Sequence, residues 1–109
     1  MSLTSWWKGK FAKEQTASAL YKSGILHARK RKNQAAIDSY TAAIQFPGVN
    51  EELKSMALYN RALVLHAELE HERAVDDLDQ VLKMHGAHGD VKKAAGIKLS
   101  KIKKRMGRQ

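Results

Sequence analysis

The sequence predicts an all-α fold of antiparallel helical hairpins. Its apolar residues recur at spacings of three and four, which is the pattern of a helix with one buried face. Runs that alternate apolar and polar residues, as half-buried strands do, are missing, and Val, Ile and Thr are scattered. The chain has 109 residues, the length of one domain, and 43% of them are apolar, which is ordinary for a folded protein. We therefore expect five helices joined by short turns.

The first two helices are expected to form a hairpin over residues 17–47. A basic turn at residues 29–32 separates them. The second helix ends at Phe46-Pro47-Gly48, because proline cannot continue a helix and glycine tolerates the turn. The apolar or small residues that share a face are Leu20, Gly24, His27 and Ala28 in the first helix and Ala36, Ile37, Tyr40, Ala43 and Ile44 in the second.

The second hairpin is expected over residues 52–84, and a capping helix over residues 90–106. Glycines mark residues 84–89 as a loop, and Asp90 is the expected N-cap of the last helix. One face of that helix is apolar and the rest is rich in lysine and arginine. Residues 1–16 form an N-terminal arm and 107–109 a tail. The stripes are Leu58, Ala62, Leu65 and Leu69, then Ala74, Leu78, Val81 and Leu82, then Val91, Ala95, Leu99, Ile102 and Met106.

The two hairpins repeat each other at a constant offset of 38 residues, and a further shift of 34 extends the match into the last helix. Four extra residues interrupt the register, and we expect them to lengthen the loop around residues 49–54. The offset of 38 superimposes Leu20 on Leu58, Gly24 on Ala62, Ala36 on Ala74, Ile37 on Val75, Tyr40 on Leu78, Ala43 on Val81 and Ile44 on Leu82; the shift of 34 places Ala62 on Gly96 and Leu65 on Leu99.

This pattern resembles the tetratricopeptide repeat over roughly residues 17–106. The resemblance lies in a small residue within the first helix, an alanine sixteen residues after the first apolar anchor, an aromatic residue four later and a closing proline. It implies hairpins stacked as a short right-handed solenoid with a C-terminal capping helix, in which small residues allow close helix packing. The matching residues are Leu20, Gly24, Ala36, Tyr40 and Pro47, then Leu58, Ala62, Ala74 and Leu78, then Gly96 and Leu99.

The resemblance also implies a function, that of a non-enzymatic interaction module or adaptor. In this family the first helix of each hairpin lines a concave surface that holds a peptide or a helix. The corresponding side chains combine apolar platforms with amide and cationic donors, which suits a protein or peptide of acidic character. The alternative is that they are ordinary exposed residues of a stacked array. The residues are Tyr21, Lys22, Ile25 and Arg29, then Tyr59, Asn60, Leu63 and His66, then Lys93, Ile97 and Lys101.

No catalytic or cofactor-binding pattern is present in the sequence. The absence of cysteine excludes disulfides, thiolate metal sites and cysteine nucleophiles. No serine lies in a nucleophile elbow, and the glycines have neither common spacing of a phosphate-binding loop. The five histidines lack the helical two-histidine metal motif. We expect no enzyme activity, cofactor or metal. The carboxylates of the second hairpin are interpreted as a solvated acidic face: Glu68, Glu70, Glu72, Asp76, Asp77 and Asp79.

The net charge of +9 is segregated along the chain. Residues 1–50 hold eight Lys or Arg and two acids, residues 51–90 hold four and nine, and residues 91–109 hold eight and none. The basic last helix suggests nucleic-acid binding as an alternative function. The arm, with Trp6, Trp7 and Phe11 among lysines, suggests a lid, a peripheral membrane contact or a weak, salt-sensitive contact with a second copy. No apolar run is long enough for a membrane span or a secretory signal, and we expect a cytoplasmic protein.

Overall fold

The computed structural model describes residues 16–107, which form five α-helices and no strand. The all-α prediction is confirmed for this part of the chain. The helices are α1 (Ala17–Arg29), α2 (Asn33–Ile44), α3 (Glu51–Ala67), α4 (His71–Lys83) and α5 (Gly89–Arg105).

The helices pack as hairpins placed next to one another. α1 packs against α2, and α3 against α4. α2 also contacts α3, and α4 contacts α5, so each helix packs against the next along the chain. In addition α1 and α5 both contact α3, which brings these three helices side by side. α3 is therefore in contact with all four other helices.

Small residues and large side chains alternate in the core between these helices. Alanines at 36, 43, 57, 62, 74 and 95 are fully buried. Tyr40, Leu58, Leu65, Leu78 and Ile102 fill the space between them. Gly24 shows the closest approach, because a Cβ atom built there would lie 2.5 Å from Cε1 of Tyr40. Packing at this density leaves no room for an added methyl group at that position.

The turns that close the two hairpins have the same geometry, 38 residues apart. At the end of α1 the N–H of Lys32 donates to the carbonyl of His27 at 2.9 Å, and Arg31 has a φ of 59°. At the end of α3 the N–H of Glu70 donates to the carbonyl of Leu65 at 2.8 Å, and Leu69 has a φ of 63°. Both are Schellman turns with a non-glycine residue in the left-handed region. The repeat seen in the sequence thus extends to the backbone of the turns.

The predicted loop around residues 49–54 is wrong at its C-terminal end. Residues 51–54 form an extra turn at the start of α3. The Asn50 side chain caps this turn by accepting a hydrogen bond of 2.8 Å from the N–H of Leu53. Glu51 and Glu52 lie in the first turn, where a negative charge interacts favourably with the helix dipole and stabilises the helix. The four extra residues therefore lengthen a helix.

Three predicted burial assignments are also wrong. Leu69 was expected on the apolar stripe, but α3 ends two residues before it and it is 77% exposed. Leu82 is 38% exposed at the end of α4. Gly96 has no close neighbour, since an added Cβ would meet only Cδ2 of Leu82 at 4.0 Å. The predicted N-cap Asp90 lies inside α5, and His88 is the N-cap, its Nδ1 accepting a 3.2 Å hydrogen bond from the N–H of Asp90.

Asp77 is buried, which contradicts its assignment to a solvated acidic face. It is 5% exposed and forms a two-point ion pair with Arg61, from Nε to Oδ2 at 2.8 Å and from Nη2 to Oδ1 at 2.7 Å. The remaining guanidinium nitrogen, Nη1, donates to Oγ1 of Thr41 at 3.0 Å. This network joins α2, α3 and α4, so it links the two hairpins.

Candidate functional site

A groove runs between α3 and α5, next to the core. In α3, Tyr59 and Leu63 are spaced by four residues beside the buried Leu58 and Ala62. In α5 the groove residues lie next to the core stripe at helical spacing. The groove therefore follows directly from the way in which the two helices bury their apolar faces. We call it the α3–α5 groove, and it has two halves.

The apolar half is a depression of about 390 Å³. Tyr59 and Leu63 form one wall, and Ala94 and Ile97 form the other. Ile97 is 52% exposed, which leaves much of a large apolar side chain in contact with water. Covering this surface with a ligand favours binding, because it removes apolar area from water. The lining residues are Tyr59, Leu63, Ala94, Ile97, Lys98 and Lys101.

The basic half is an adjoining depression of about 530 Å³. Lys98 and Lys101 line both halves, so the two depressions form one groove. The side chains around the basic half are four cations of α5 and one histidine of α3, with no carboxylate among them. Its lining residues are His66, Lys98, Lys101, Lys104 and Arg105.

His66 connects the groove to α4. Its Nδ1 atom lies 2.9 Å from Nδ1 of His71, so one ring donates a hydrogen bond and the other accepts it. Burial lowers the pKa of His66 below its usual value, and the positive charges of Lys98 and Arg105 together with His71 lower it further. The neutral imidazole is therefore favoured at pH 7.

The predicted ligand residues fall into two groups. The structure brings five of them together in the α3–α5 groove: Tyr59, Leu63, His66, Ile97 and Lys101. Lys93 is exposed on α5, outside both halves of the groove. Lys22 and Arg29 are exposed on α1 and line neither half, and Ile25 packs against the core.

Tyr21 and Asn60 form a structural contact between α1 and α3. The Asn60 side chain donates a 2.8 Å hydrogen bond to the Tyr21 hydroxyl. The Tyr21 ring is tilted against Tyr40, with 6.0 Å between the ring centroids. Burial raises the pKa of Tyr21, and the bond from Asn60 offsets part of that increase. These two polar groups, predicted to meet a ligand, are thus already paired with each other.

A third depression lies on the other side of Leu63, between α3 and the first hairpin. It has a volume of about 400 Å³, and Leu63 forms part of both this depression and the apolar half of the groove. The exposed surface along α3 therefore continues toward the end of α1. The residues that line it are Ala28, Arg31, Asn33, Leu63, Val64 and Ala67.

Three groove cations belong to the lysine- and arginine-rich part of the last helix and were not predicted as ligand residues: Lys98, Lys104 and Arg105. Their spacing places them on the same side of α5 as Ile97 and Lys101. That spacing was visible in the sequence, but the rotation of α5 relative to α3 was not. The sequence therefore did not distinguish a groove wall from a solvated face.

The predicted arm residues Trp6, Trp7 and Phe11 lie outside the described residues. Within residues 16–107, no helix combines the length and the apolar character needed to cross a membrane. The same residues contain no group of three or more His, Asp or Glu side chains that could hold a metal ion.

Comparison with known proteins gives no relative. No family model, no curated protein and no solved structure matches this chain.

Proposed function

We propose that this chain is a non-enzymatic interaction module of the tetratricopeptide type, which holds a peptide segment of acidic character in the α3–α5 groove. The observation that carries the proposal is the groove itself. It joins an exposed apolar surface to four cations without an intervening carboxylate. An extended or helical segment that places an apolar side chain beside Ile97 and an acidic one beside the lysines would complement both halves.

The repeat supports the tetratricopeptide assignment. Two hairpins are related by an offset of 38 residues in their core residues and in their closing turns. The first helices of the two hairpins, α1 and α3, lie side by side with α5. In that family a row of first helices forms the ligand surface, and here the groove lies between two members of the row.

Nucleic-acid binding is the second candidate, favoured by the exposed cations of α5. Such binding would depend on phosphate contacts and on salt concentration. It would not require the apolar half of the groove. The two candidates therefore differ in the role of Ile97.

The test is a selection of peptides from a random displayed library, followed by affinity measurement with Ile97→Ser. We expect the selected peptides to combine apolar and acidic residues. Loss of the Ile97 contact should weaken their binding about tenfold, or about 1.4 kcal/mol. Fluorescence polarisation with a labelled selected peptide measures the dissociation constant.

Leu26→Ser is the matched control. Leu26 is 55% exposed on α1, close to the value for Ile97, and lines none of the three depressions. This variant should bind the peptide as the wild type does. Equal affinity of Ile97→Ser and wild type, or a selection without acidic peptides, would contradict the proposal. Binding of an oligonucleotide that is unaffected by Ile97→Ser and lost at moderate salt would favour the second candidate.

A further inference from the structure

The four cations of the basic half lie on one side of α5, and no carboxylate is among the residues that line this half. Lys101 is three residues from both Lys98 and Lys104 and four residues from Arg105, so these positive charges lie on the same side of the helix. Like charges at these spacings destabilise a helix. The ion pairs Arg61–Asp77, Arg73–Glu70 and His88–Asp90 are formed by other side chains. A bound anion would remove this repulsion.

The number and kind of donors favour a doubly charged anion. A carboxylate brings one negative charge and two oxygens. A phosphomonoester brings close to two charges and three acceptor oxygens at neutral pH. The guanidinium of Arg105 is suited to two parallel hydrogen bonds with phosphate, and the lysines act as point charges around it. The donor set therefore matches a phosphate group better than a single carboxylate.

The position of the basic half relative to the apolar half suggests how such a group arrives. Lys98 and Lys101 line both halves, so one ligand can occupy the two halves at the same time. We propose that the basic half of the α3–α5 groove binds the phosphomonoester of a phosphorylated side chain, carried by the peptide that the groove holds. This inference rests on the proposed function and names the chemistry of its ligand.

His66 provides a readout of the site. The groups around it are His71 of α4 and the cations of α5, namely Lys98, Lys101, Lys104 and Arg105. Protonation of His66 alone would preserve its hydrogen bond with His71, because a protonated His66 can donate from Nδ1 to Nδ1 of a neutral His71. A dianion in the basic half would offset the neighbouring positive charges. Binding should therefore raise the pKa of His66.

The test is an NMR titration of the histidine Cε1–H signals in the full chain, with phenyl phosphate as the probe. Benzoate carries the same ring with a carboxylate, and dimethyl phosphate carries a phosphodiester with one charge. At constant ionic strength we expect phenyl phosphate to raise the pKa of His66 saturably, by about 0.5 or more. We expect benzoate and dimethyl phosphate at the same concentration to leave it unchanged. His85, exposed in the loop before α5, is an internal control.

Two variants assign the response to the basic half. Lys101→Ala should abolish the effect of phenyl phosphate. Lys103→Ala removes the same charge from the same helix at a residue that does not line the groove, and it should keep the effect. Circular dichroism establishes that both variants are folded. An equal response to benzoate would overturn the inference, as would a response that survives Lys101→Ala. An equal response to dimethyl phosphate would assign the site to phosphodiesters and overturn it too.

The probe contains no peptide, so this experiment is independent of the peptide selection. If phenyl phosphate has no effect while acidic peptides are still selected and depend on Ile97, the inference about phosphate fails and the proposed function stands. If phenyl phosphate binds but no peptide is selected, the phosphate chemistry is supported and the peptide-binding function fails.

Discussion

At the scale of single residues, Gly24 and Tyr40 set the distance between α1 and α2. Tyr40 is 2% exposed and belongs to the core cluster, so its ring has little room to move away from a larger neighbour at position 24. Gly96 occupies the corresponding place in α5 by the sequence register, yet a Cβ atom added there would make only an ordinary contact with Cδ2 of Leu82, at 4.0 Å. Close packing therefore requires glycine at position 24 but not at position 96.

This difference predicts opposite effects of the same substitution. Gly24→Ala should lower the free energy of unfolding by about 1–3 kcal/mol, because the new methyl group overlaps the Tyr40 ring. Gly96→Ala should raise it by up to about 1 kcal/mol, because alanine is the better helix former and meets no obstacle. Urea denaturation followed by circular dichroism measures both. A gain in stability for Gly24→Ala would contradict the close packing of α1 on α2.

At the scale of elements, the turn after α3 places a leucine where glycine is normally found. Leu69 adopts the left-handed conformation, which is strained for a residue with a Cβ atom. Its side chain is largely exposed, so it contributes little packing in return. The hydrogen bonds of the Schellman turn keep the backbone in this strained conformation.

Leu69→Gly should therefore stabilise the protein by about 0.5–1 kcal/mol. Glycine relieves the backbone strain, and the greater freedom of the unfolded chain offsets part of the gain. Leu26→Gly, an exposed leucine within α1, should instead cost about 1 kcal/mol. Thermal unfolding of both variants gives the comparison. A loss of stability in Leu69→Gly similar to that in Leu26→Gly would show that the turn is not strained.

The elements also show what the sequence could predict. Periodicity located the helices, because it depends only on which residues face the core. Asn50 before two glutamates is a sequence signal for the start of a helix, whereas the repeat register predicted a loop at these residues. The groove required more than periodicity. Its walls depend on how α5 is rotated against α3, and a lysine on a groove wall has the same sequence pattern as a lysine in solvent.

At the scale of the whole molecule, one partly buried guanidinium links the two hairpins. Arg61 is paired with Asp77 of its own hairpin and bonded to Thr41 of the other. The sequence suggested a solvated face for Asp77, since it lies among other acids. The two hydrogen bonds from Arg61 of the facing helix offset the cost of burying this carboxylate.

Asp77→Ala should lower the free energy of unfolding by about 2 kcal/mol, because it removes two charged hydrogen bonds and leaves the partly buried Arg61 with only its bond to Thr41. The neighbouring Asp76 is exposed, and Asp76→Ala should change the stability by no more than about 0.5 kcal/mol. Chemical denaturation of the two variants tests this difference. Similar small effects in both would mean that the ion pair adds nothing to the stability of the stack.

The central position of α3 has a consequence for motion. α1 and α5 do not touch each other, while α3 touches every other helix of residues 16–107. Either end of the stack can therefore open by itself, and amide hydrogens at the ends should exchange with solvent through such partial openings. Those of α3 exchange only when most of the structure is lost. A ligand bound between α3 and α5 would hold α5 against this slowest-exchanging helix and slow exchange in α5. Exchange in α1, at the other end, would stay as fast as before.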